Sequence, residues 1–258
     1  MSVRIEHDRL GVTTIIVDRA AKMNAMDSAT LTALAEAAEA VGADPAVRAV
    51  VLRGAGERAF IGGADVNEMS ALSGPDAARA FITRVHRACA ALRRIPVPVI
   101  ACIQGYTLGA GLEIAASCDL RVAGQLAVFG MPEVRIGLPS VVEAALLPLL
   151  IGWGRTRWLL LTGETVDAAQ AYAWGLVEQL AEPTELDATV ARTLESIVAA
   201  GAAAVRLQKQ LIGAWETVPL QEAVQIGIAC FETAWHSDEP RRMLSAHLTA
   251  MRARKTRS

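Results

Sequence analysis

Residues 105–119 read GYTLGAGLEIAASCD, a glycine-rich turn that runs directly into a helix. Gly105, Gly109 and Gly111 permit backbone conformations that are closed to other residues. Free N–H groups and the positive end of the helix dipole favour an anionic oxygen at such a start. Glu113 falls in the first turn and is expected to project into the same space. Taken alone, the ordinary interpretation of this acid is a carboxylate that only complements the helix dipole.

A second glutamate, Glu133, lies in the segment FGMPEVRIGLP (residues 129–139), at the end of a short apolar strand. Its ordinary interpretation is a solvated loop charge. Two carboxylates held around one substrate, however, are what a reaction needs when it must both remove and deliver a proton. Glu113 and Glu133 are therefore the candidate acid–base pair of an enzyme.

A third segment, AFIGGADVNEM (residues 59–69), combines two glycines with an aspartate suited to cap a helix. Asp65 is expected to cap a short helical turn through Met69. The N–H of Ala64 would then point outward as a donor to a developing oxyanion. Taken alone this is an ordinary turn, but together with the two acids it predicts an enzyme.

The composition argues against several other classes of protein. The chain has 258 residues, of which 53% are hydrophobic and 20% charged, enough for one large domain with a sizeable core. A net charge of −2 gives no reason to expect nucleic acid or an anionic membrane as a partner. The uncharged run 95–112 contains prolines and glycines typical of strand and turn, and the N-terminus has no apolar signal-peptide core. We therefore expect a soluble, cytoplasmic protein.

The cysteine and histidine patterns predict neither a metal site nor a disulfide framework. The four cysteines are scattered without C-x-x-C spacing, and the four histidines are widely dispersed. The chain also lacks the G-x-S-x-G, G-K-[ST] and G-x-G-x-x-G motifs of other enzyme classes.

Apolar periodicity predicts an α/β fold followed by helices. Strands are expected at 3–8, 11–17, 48–52 and 97–103. Helices are expected from Asp27 or Ser28 to Val41 and from Asp76 to Leu92, and strand–helix alternation implies right-handed crossovers. After Pro139 the pattern is helical almost throughout, beginning with 141–151 and 155–162. All five tryptophans lie in this helical region, where they are expected to pack on the same subunit or against a neighbouring one.

The three segments, in this order, resemble the enoyl-CoA hydratase/isomerase (crotonase) superfamily. The resemblance is extended by IQGYTLGAGLEIAASCDLRVA (103–123), NAM (24–26) and LTGETVDAAQAYAWGLV (161–177), and it spans nearly the whole chain. It implies an α/β spiral of strand–strand–helix units over residues 1–195. It also implies a helical C-terminal region, 196–258, that belongs to the same functional unit and builds homotrimers or dimers of trimers.

The resemblance also assigns roles to individual residues. The N–H groups of Ala64 and Ala110 would form the oxyanion hole for a thioester carbonyl. Glu113 and Glu133 fall on the two glutamate positions of true hydratases. The adenine-binding and facing-loop positions for coenzyme A would be Lys22, Met23, Ala25, Gly62, Ala64, Asp65 and Val66. Coenzyme A is part of the substrate, so no separate cofactor and no metal are expected.

Retention of both glutamates favours an enoyl-CoA hydratase, a hydro-lyase that adds water in syn fashion across the 2,3 double bond. Glu113 would deprotonate a water for attack at the β-carbon, and Glu133 would supply a proton to the α-carbon. The alternatives are another acyl-CoA reaction of the superfamily (isomerisation, hydrolysis or decarboxylation) or an acyl-CoA-binding protein without catalysis.

Three features depart from the family pattern. Near the C-terminus, DEPRRM (238–243) lacks the usual acidic–glycine pair, and Ala110 replaces a usual glycine. The third is SVVEAA (140–145) in place of a usual glycine-rich turn, which introduces Glu143; we expect this acid to be a solvated helix charge, the alternative being contact with an unusual acyl group. The basic tail (Arg252, Arg254, Lys255 and Arg257) is expected to be a solvated end, or else to reach the CoA phosphates.

Overall fold

The computed structural model describes residues 2–255; Arg257 and the side chains of Arg254 and Lys255 lie outside what it describes. The chain divides into two compact units, Met1–Leu194 and Glu195–Ser258. The first unit carries all of the segments singled out by the sequence, and the second consists of helices.

The strands of the first unit form two sheets. They are β1 Val3–His7, β2 Val12–Val17, β3 Ala49–Gly54, β4 Ala59–Ile61, β5 Val99–Ile103, β6 Tyr106–Leu108, β7 Leu120–Gly124, β8 Val128–Gly130, β9 Thr165–Asp167 and β10 Gln179–Ala181. The larger sheet has the order β1-β2-β3-β5-β7-β10, and the smaller has the order β4-β6-β8-β9. Only the β1–β2 and β8–β9 pairs are antiparallel within these sheets.

The helices follow the strands in a regular way. They are α1 Ser28–Ala43, α2 Val66–Ser70, α3 Pro75–Arg94, α4 Ala110–Ala116, α5 Leu147–Thr162, α6 Ala168–Trp174, α7 Leu186–Ala199, α8 Ala202–Trp215, α9 Leu220–Ala234 and α10 Glu239–Lys255, with short 3₁₀ helices at Ala20–Lys22, Pro132–Ile136 and Val142–Leu146. After each of β3, β5 and β7 comes a strand of the smaller sheet and then helix. This confirms the expected α/β spiral of strand–strand–helix units.

The core lies between the larger sheet and helices α1 and α3. Strands β2, β3 and β5 are almost continuously apolar and buried, as expected for parallel strands covered on both faces. Leu34 of α1 and Val85 and Leu92 of α3 are fully buried in this core. The side chain of Asp27 accepts a hydrogen bond of 2.8 Å from the Thr30 N–H and so caps α1, as one of the two predicted caps.

Two sequence expectations in the region after Pro139 are wrong. The helix expected at 141–151 begins instead as the 3₁₀ helix Val142–Leu146, and the following α5 continues through both expected helices with a kink at Gly152, where φ is 77°. Strands β9 and β10 were not expected, because each has three residues, too few for an alternating pattern to be recognised.

The second unit has several exposed apolar side chains, among them Ile228 and Phe231 of α9. Helices α8 and α9 pack together, and the Trp215 indole N–H donates a 3.2 Å hydrogen bond to the Ala223 carbonyl. The Glu239 carboxylate accepts from the N–H groups of Ala203 and Ala204, so the start of α10 caps the start of α8. An open apolar groove of about 530 Å³ is lined by Trp215, Val218, Leu220, Ala223, Val224 and Gly227.

None of the helices between residues 2 and 255 is, by itself, long and apolar enough to cross a membrane. One pair, Leu186–Ala199 with Ala202–Trp215, reaches the required length and composition together but is bent by 106°. Such a pair is weak evidence for a membrane span.

The contact of α4 with β4 requires glycine at position 111. A Cβ on Gly111 would lie 2.1 Å from the carbonyl oxygen of Ile61. The helix that carries Glu113 can therefore approach the smaller sheet this closely only because residue 111 has no side chain.

We predict that Gly111→Ala lowers the free energy of unfolding by about 1–3 kcal/mol, since α4 must move away from β4. Thermal or urea unfolding measures the change. Gly213→Ala is the matched control, because a Cβ on Gly213 in α8 meets nothing within 4 Å. That control should be neutral or stabilising by up to about 1 kcal/mol. Equal stability of Gly111→Ala and the parent would contradict the close approach.

Candidate active site

Three turns meet at one edge of the smaller sheet. Strands β4, β6 and β8 run parallel and adjacent, with Tyr106 paired to both Ala59 and Val128. The carboxyl ends of parallel strands lie at the same edge of a sheet, so the segments that follow these three strands are neighbours. They are the Gly62–Asp65 turn, the Gly109–Ala110 turn and the 3₁₀ helix Pro132–Ile136. These are the three segments that the sequence singled out.

Glu113 is held inside the protein. It lies on α4, a helix of 7 residues that are all buried, and its own exposed fraction is 3%. Its Oε1 accepts a hydrogen bond of 3.2 Å from the Ala144 N–H. A buried carboxylate with a backbone donor has a fixed position, which is what an acid–base group needs.

The pKa of Glu113 is raised from 4.5 to about 8. Burial is the main cause, because it disfavours the charged form; the negative charge of Glu133 adds to it, and that of Glu143 adds less. The hydrogen bond from Ala144 acts in the opposite direction. The unliganded protein therefore keeps a proton on Glu113 at neutral pH.

Glu133 is half-buried and not the solvated loop charge of the ordinary interpretation. Its Oε2 accepts a 2.7 Å hydrogen bond from the Ser140 hydroxyl. Its Oε1 lies directly over Gly109, where a Cβ would be 2.2 Å away. Gly109 also has φ of 50°, a conformation that favours glycine. Glycine at this position therefore lets the Glu133 carboxylate reach the turn that carries Ala110, at the start of the helix that carries Glu113.

The N–H groups of Ala64 and Ala110 are free donors. Neither makes a hydrogen bond within residues 2–255. Hydrogen bonds to Met26 hold the residues on both sides of Ala64. Met26 N–H donates to the Gly63 carbonyl at 2.8 Å, and Asp65 N–H donates to the Met26 carbonyl at 2.9 Å. The two turns also touch, because a Cβ on Gly63 would lie 3.2 Å from the Leu108 carbonyl oxygen. Two free donors on neighbouring turns are suited to an anionic oxygen.

Asp65 caps α2, as the sequence predicted. Its carboxylate accepts from the N–H groups of Asn67 at 3.1 Å and Glu68 at 3.4 Å. Arg19 also binds this carboxylate, at 3.2 Å, and lies 2.8 Å from Asp27. The hydrogen bonds from Arg19 and the backbone outweigh burial and lower the pKa of Asp65.

The segments expected to face each other around coenzyme A are in contact. The Gly62 N–H donates a 2.8 Å hydrogen bond to the Met23 carbonyl, which joins Lys22–Ala25 to Gly62–Val66. Met23 and Asn24 have φ of 54° and 55°, and the buried Asn24 amide stabilises this turn by donating to the Ala55 and Ala59 carbonyls. Lys22 and Val66 are exposed beside this turn.

Glu143 is not a solvated helix charge, and that expectation is wrong. Its exposed fraction is 8%, and its Oε1 lies 2.7 Å from Nδ1 of His86 on α3. Burial arises because the 3₁₀ helix Val142–Leu146 packs against α3 and α4. The sequence did not predict three further contacts of the site: Arg19 with Asp65, Ser140 with Glu133 and Ala144 with Glu113. Each joins two segments that no common motif connects.

Within residues 2–255, no group of at least three His, Cys, Asp or Glu side chains is placed to hold a metal ion.

We predict that Glu113→Gln becomes more stable relative to the parent as pH rises. A raised pKa means that folding favours the protonated acid, so its stabilising contribution is present below the ordinary pKa of 4.5 and is lost as pH rises through about 8. Glutamine keeps the shape and cannot ionise. The difference in Tm should therefore widen between about pH 5 and about pH 9. The exposed Glu36→Gln should show a flat difference, and a flat result for Glu113→Gln would disprove the raised pKa.

Comparisons with known proteins identify the family of this chain. The model of the enoyl-CoA hydratase/isomerase family matches residues 7–252. A crotonyl-CoA hydratase of Syntrophomonas wolfei is 32% identical over 94% of this chain and 93% of its own length. A short-chain-enoyl-CoA hydratase of Clostridium acetobutylicum is 32% identical over 92% of this chain and 91% of its own. The crystal structure of an enoyl-CoA hydratase from Mycobacterium smegmatis superposes with a TM-score of 0.94 at 30% identity, covering 97% of both chains. The chain therefore belongs to the enoyl-CoA hydratase/isomerase family.

Proposed function

We propose that this enzyme is an enoyl-CoA hydratase, which adds water across the 2,3 double bond of a 2-enoyl-CoA thioester to give a 3-hydroxyacyl-CoA. The observation that carries the proposal is the coupled pair Glu113 and Glu133 beside two free backbone donors. The relatives named as crotonyl-CoA and short-chain-enoyl-CoA hydratases support the same reaction.

The oxyanion hole in this proposal consists of the N–H groups of Ala64 and Ala110. The thioester carbonyl oxygen lies between them, and the hydrogen bonds strengthen as water adds and enolate charge develops on that oxygen. One such donor typically contributes roughly 2.7–4 kcal/mol in the transition state. Both donors are backbone groups, so alanine in place of the family's usual glycine at 110 keeps the donor.

Two protons move in the proposed reaction, one from water to Glu113 and one from Glu133 to the α-carbon. Glu113 takes a proton from the water as its oxygen bonds to the β-carbon, and protonated Glu133 gives a proton to the α-carbon. The reaction therefore ends with Glu113 protonated and Glu133 ionised. The raised pKa of Glu113 matches this final distribution, which is also the starting distribution for dehydration. Hydration then requires the proton to return to Glu133 when water and thioester bind.

In this proposal the site binds the substrate through its coenzyme A group. Its adenine end would bind at Lys22, Met23 and Ala25, with the facing loop supplied by Gly62, Ala64, Asp65 and Val66. The hydrogen bond between Gly62 and Met23, and the Arg19 contact to Asp65, support a rigid site there. No further cofactor is needed, because water and the thioester supply all the atoms of the product.

Assembly into a homotrimer or a dimer of trimers is part of the proposal. Exposed apolar side chains on α9 support it, since such a surface usually binds another subunit: Leu220, Val224, Ile228 and Phe231. A cytoplasmic location completes the proposal, in keeping with a water-soluble thioester substrate.

We predict that Glu113→Gln and Glu133→Gln each lower kcat for crotonyl-CoA hydration by roughly 10²- to 10⁴-fold, since each removes one acid–base group. Loss of the conjugated enoyl-thioester absorbance gives the rate, and mass spectrometry identifies the 3-hydroxyacyl-CoA. Glu36→Gln is the charge-matched control and should behave as the parent. Full turnover by either active-site variant would remove that acid from the mechanism. A shifted double bond without water addition would indicate an isomerase.

We predict that Ala110→Pro lowers kcat by roughly 10²- to 10³-fold, because it removes one oxyanion donor. Ala110 is the first residue of α4, a position where proline is tolerated, so the helix should still form. Ala110→Gly keeps the N–H and should stay near the parent. Circular dichroism verifies folding of both variants, and parental kcat in a folded Ala110→Pro would exclude this donor.

A further inference from the structure

A third carboxylate, Glu143, lies beside the proposed acid–base pair with no role assigned by the proposed reaction. It is carried by the 3₁₀ helix Val142–Leu146, which packs against α3, α4 and α5. Its Oε1 is 2.7 Å from Nδ1 of His86. An ionised carboxylate only accepts hydrogen bonds, so Nδ1–H of His86 is the donor. His86 itself is on the surface, with 57% of its side chain exposed.

The segment around Glu143 is held in an unfavourable arrangement. The second oxygen of Glu143, Oε2, is buried and has no hydrogen-bond partner among residues 2–255. The preceding residue, Val142, has φ of 39°, which is a genuine outlier for a β-branched side chain. An unpaired buried acceptor and a strained backbone both oppose folding. Two such features in adjacent residues indicate a segment kept for function rather than for stability.

The peptide that follows Glu143 contacts the active site directly. Ala144 N–H donates to Oε1 of Glu113 at 3.2 Å. The contact between His86 and Glu143 joins this turn to α3, next to the peptide whose N–H meets Glu113. An acid that must hold a water needs its own carboxylate in one orientation, and a displacement of about 1 Å can change a rate by roughly 100-fold.

Charge is the second contribution of Glu143. Its negative charge is among the causes that raise the pKa of Glu113, and it also raises the pKa of Cys89 on α3, after burial as the main cause. The titratable groups that interact with Glu143 are His86, Cys89 and Glu113. The arginines of α5 are engaged elsewhere, Arg155 with the Trp174 carbonyl and Arg157 with the Trp153 ring. Among the side chains described for residues 2–253, His86 is the partner of Glu143, and no arginine or lysine forms an ion pair with it.

We propose that Glu143, anchored by His86, is a positioning residue that orients the Glu113 carboxylate through the Ala144 N–H and places an additional negative charge beside it. This inference rests on the proposed hydratase function. It gives a function to Glu143, which lies in the Val-Val-Glu-Ala segment that replaces the family's usual glycine-rich turn. The extra charge makes Glu113 a stronger base once it has released its proton.

Glu143→Gln tests the proposal, because the amide oxygen still accepts from His86 while the charge is lost. We expect the pH-independent limit of kcat for crotonyl-CoA to fall by roughly tenfold with KM unchanged, because a less basic Glu113 takes the proton from water less readily. The acidic limb of the pH–rate profile should move to lower pH, since the proton on Glu113 is held less tightly. Infrared difference spectra, obtained by subtracting the matching Glu113→Gln protein, should show the Glu113 carboxyl group ionising at lower pH than in the parent. Glu36→Gln, which removes an exposed charge from α1, should leave the pH–rate profile and the infrared titration of Glu113 unchanged.

His86→Ala provides a second test that does not depend on a buried substitution. It removes the anchor and keeps the carboxylate, so kcat should fall while KM stays the same and the protein remains folded. Unshifted pH and infrared titrations in Glu143→Gln would overturn the proposal; if acyl-chain preference changed instead, Glu143 would belong to the acyl pocket. If the parent does not hydrate enoyl-CoA, the proposed function fails, but the infrared titration still decides whether Glu143 acts on Glu113.

Discussion

Parallel pairing of three short strands is the constraint on which the site depends. Tyr106–Leu108 lies between Ala59–Ile61 and Val128–Gly130, and all three end at the same edge. Adjacent strands of a sheet lie about 4.8 Å apart, so the turns that follow these three strands are close to one another. One turn carries the Ala64 donor, the next carries Ala110 and Glu113, and the last carries Glu133. Glycine at 109 and 111 allows the contacts between them, because a side chain at either position would collide with Glu133 or with Ile61.

Burial gives the pair of glutamates their chemical asymmetry. Glu113 is almost completely enclosed, whereas Glu133 is half-buried and bound by the Ser140 hydroxyl. Enclosure disfavours charge, and the nearby negative charge of Glu133 disfavours a second charge, so Glu113 retains the proton of the pair at neutral pH. Two chemically identical side chains can thus take different roles because their surroundings differ. The stability of the fold and the chemistry of the site are coupled through this one buried acid.

The sequence predicts the order of strands and helices and the fold that its family resemblance implies, because the motifs that carry both are local. Glycines before Glu113, the Asp65 cap and the apolar strands all act within a few residues. Contacts between distant segments could not be predicted. Glu143 contacts His86, 57 positions earlier, and Glu113 accepts a hydrogen bond from Ala144, 31 positions later. The short strands β9 and β10 were missed for a related reason: pairing with a neighbour, rather than their own pattern, makes them strands.

Residues 140–145 combine a strained backbone with a side chain that a glycine-rich turn lacks. Glycine adopts a φ of 39° without strain, whereas Val142 does so against its preference. A glycine-rich turn would also offer an N–H to Glu113, as Ala144 does here. It would not offer a carboxylate, nor the hydrogen bond by which Glu143 joins the turn to α3. The strained turn therefore adds to the N–H donor a fixed negative charge and a link to the surface histidine. Glu143 is unfavourable to bury, but it lies where its own negative charge changes the basicity of Glu113.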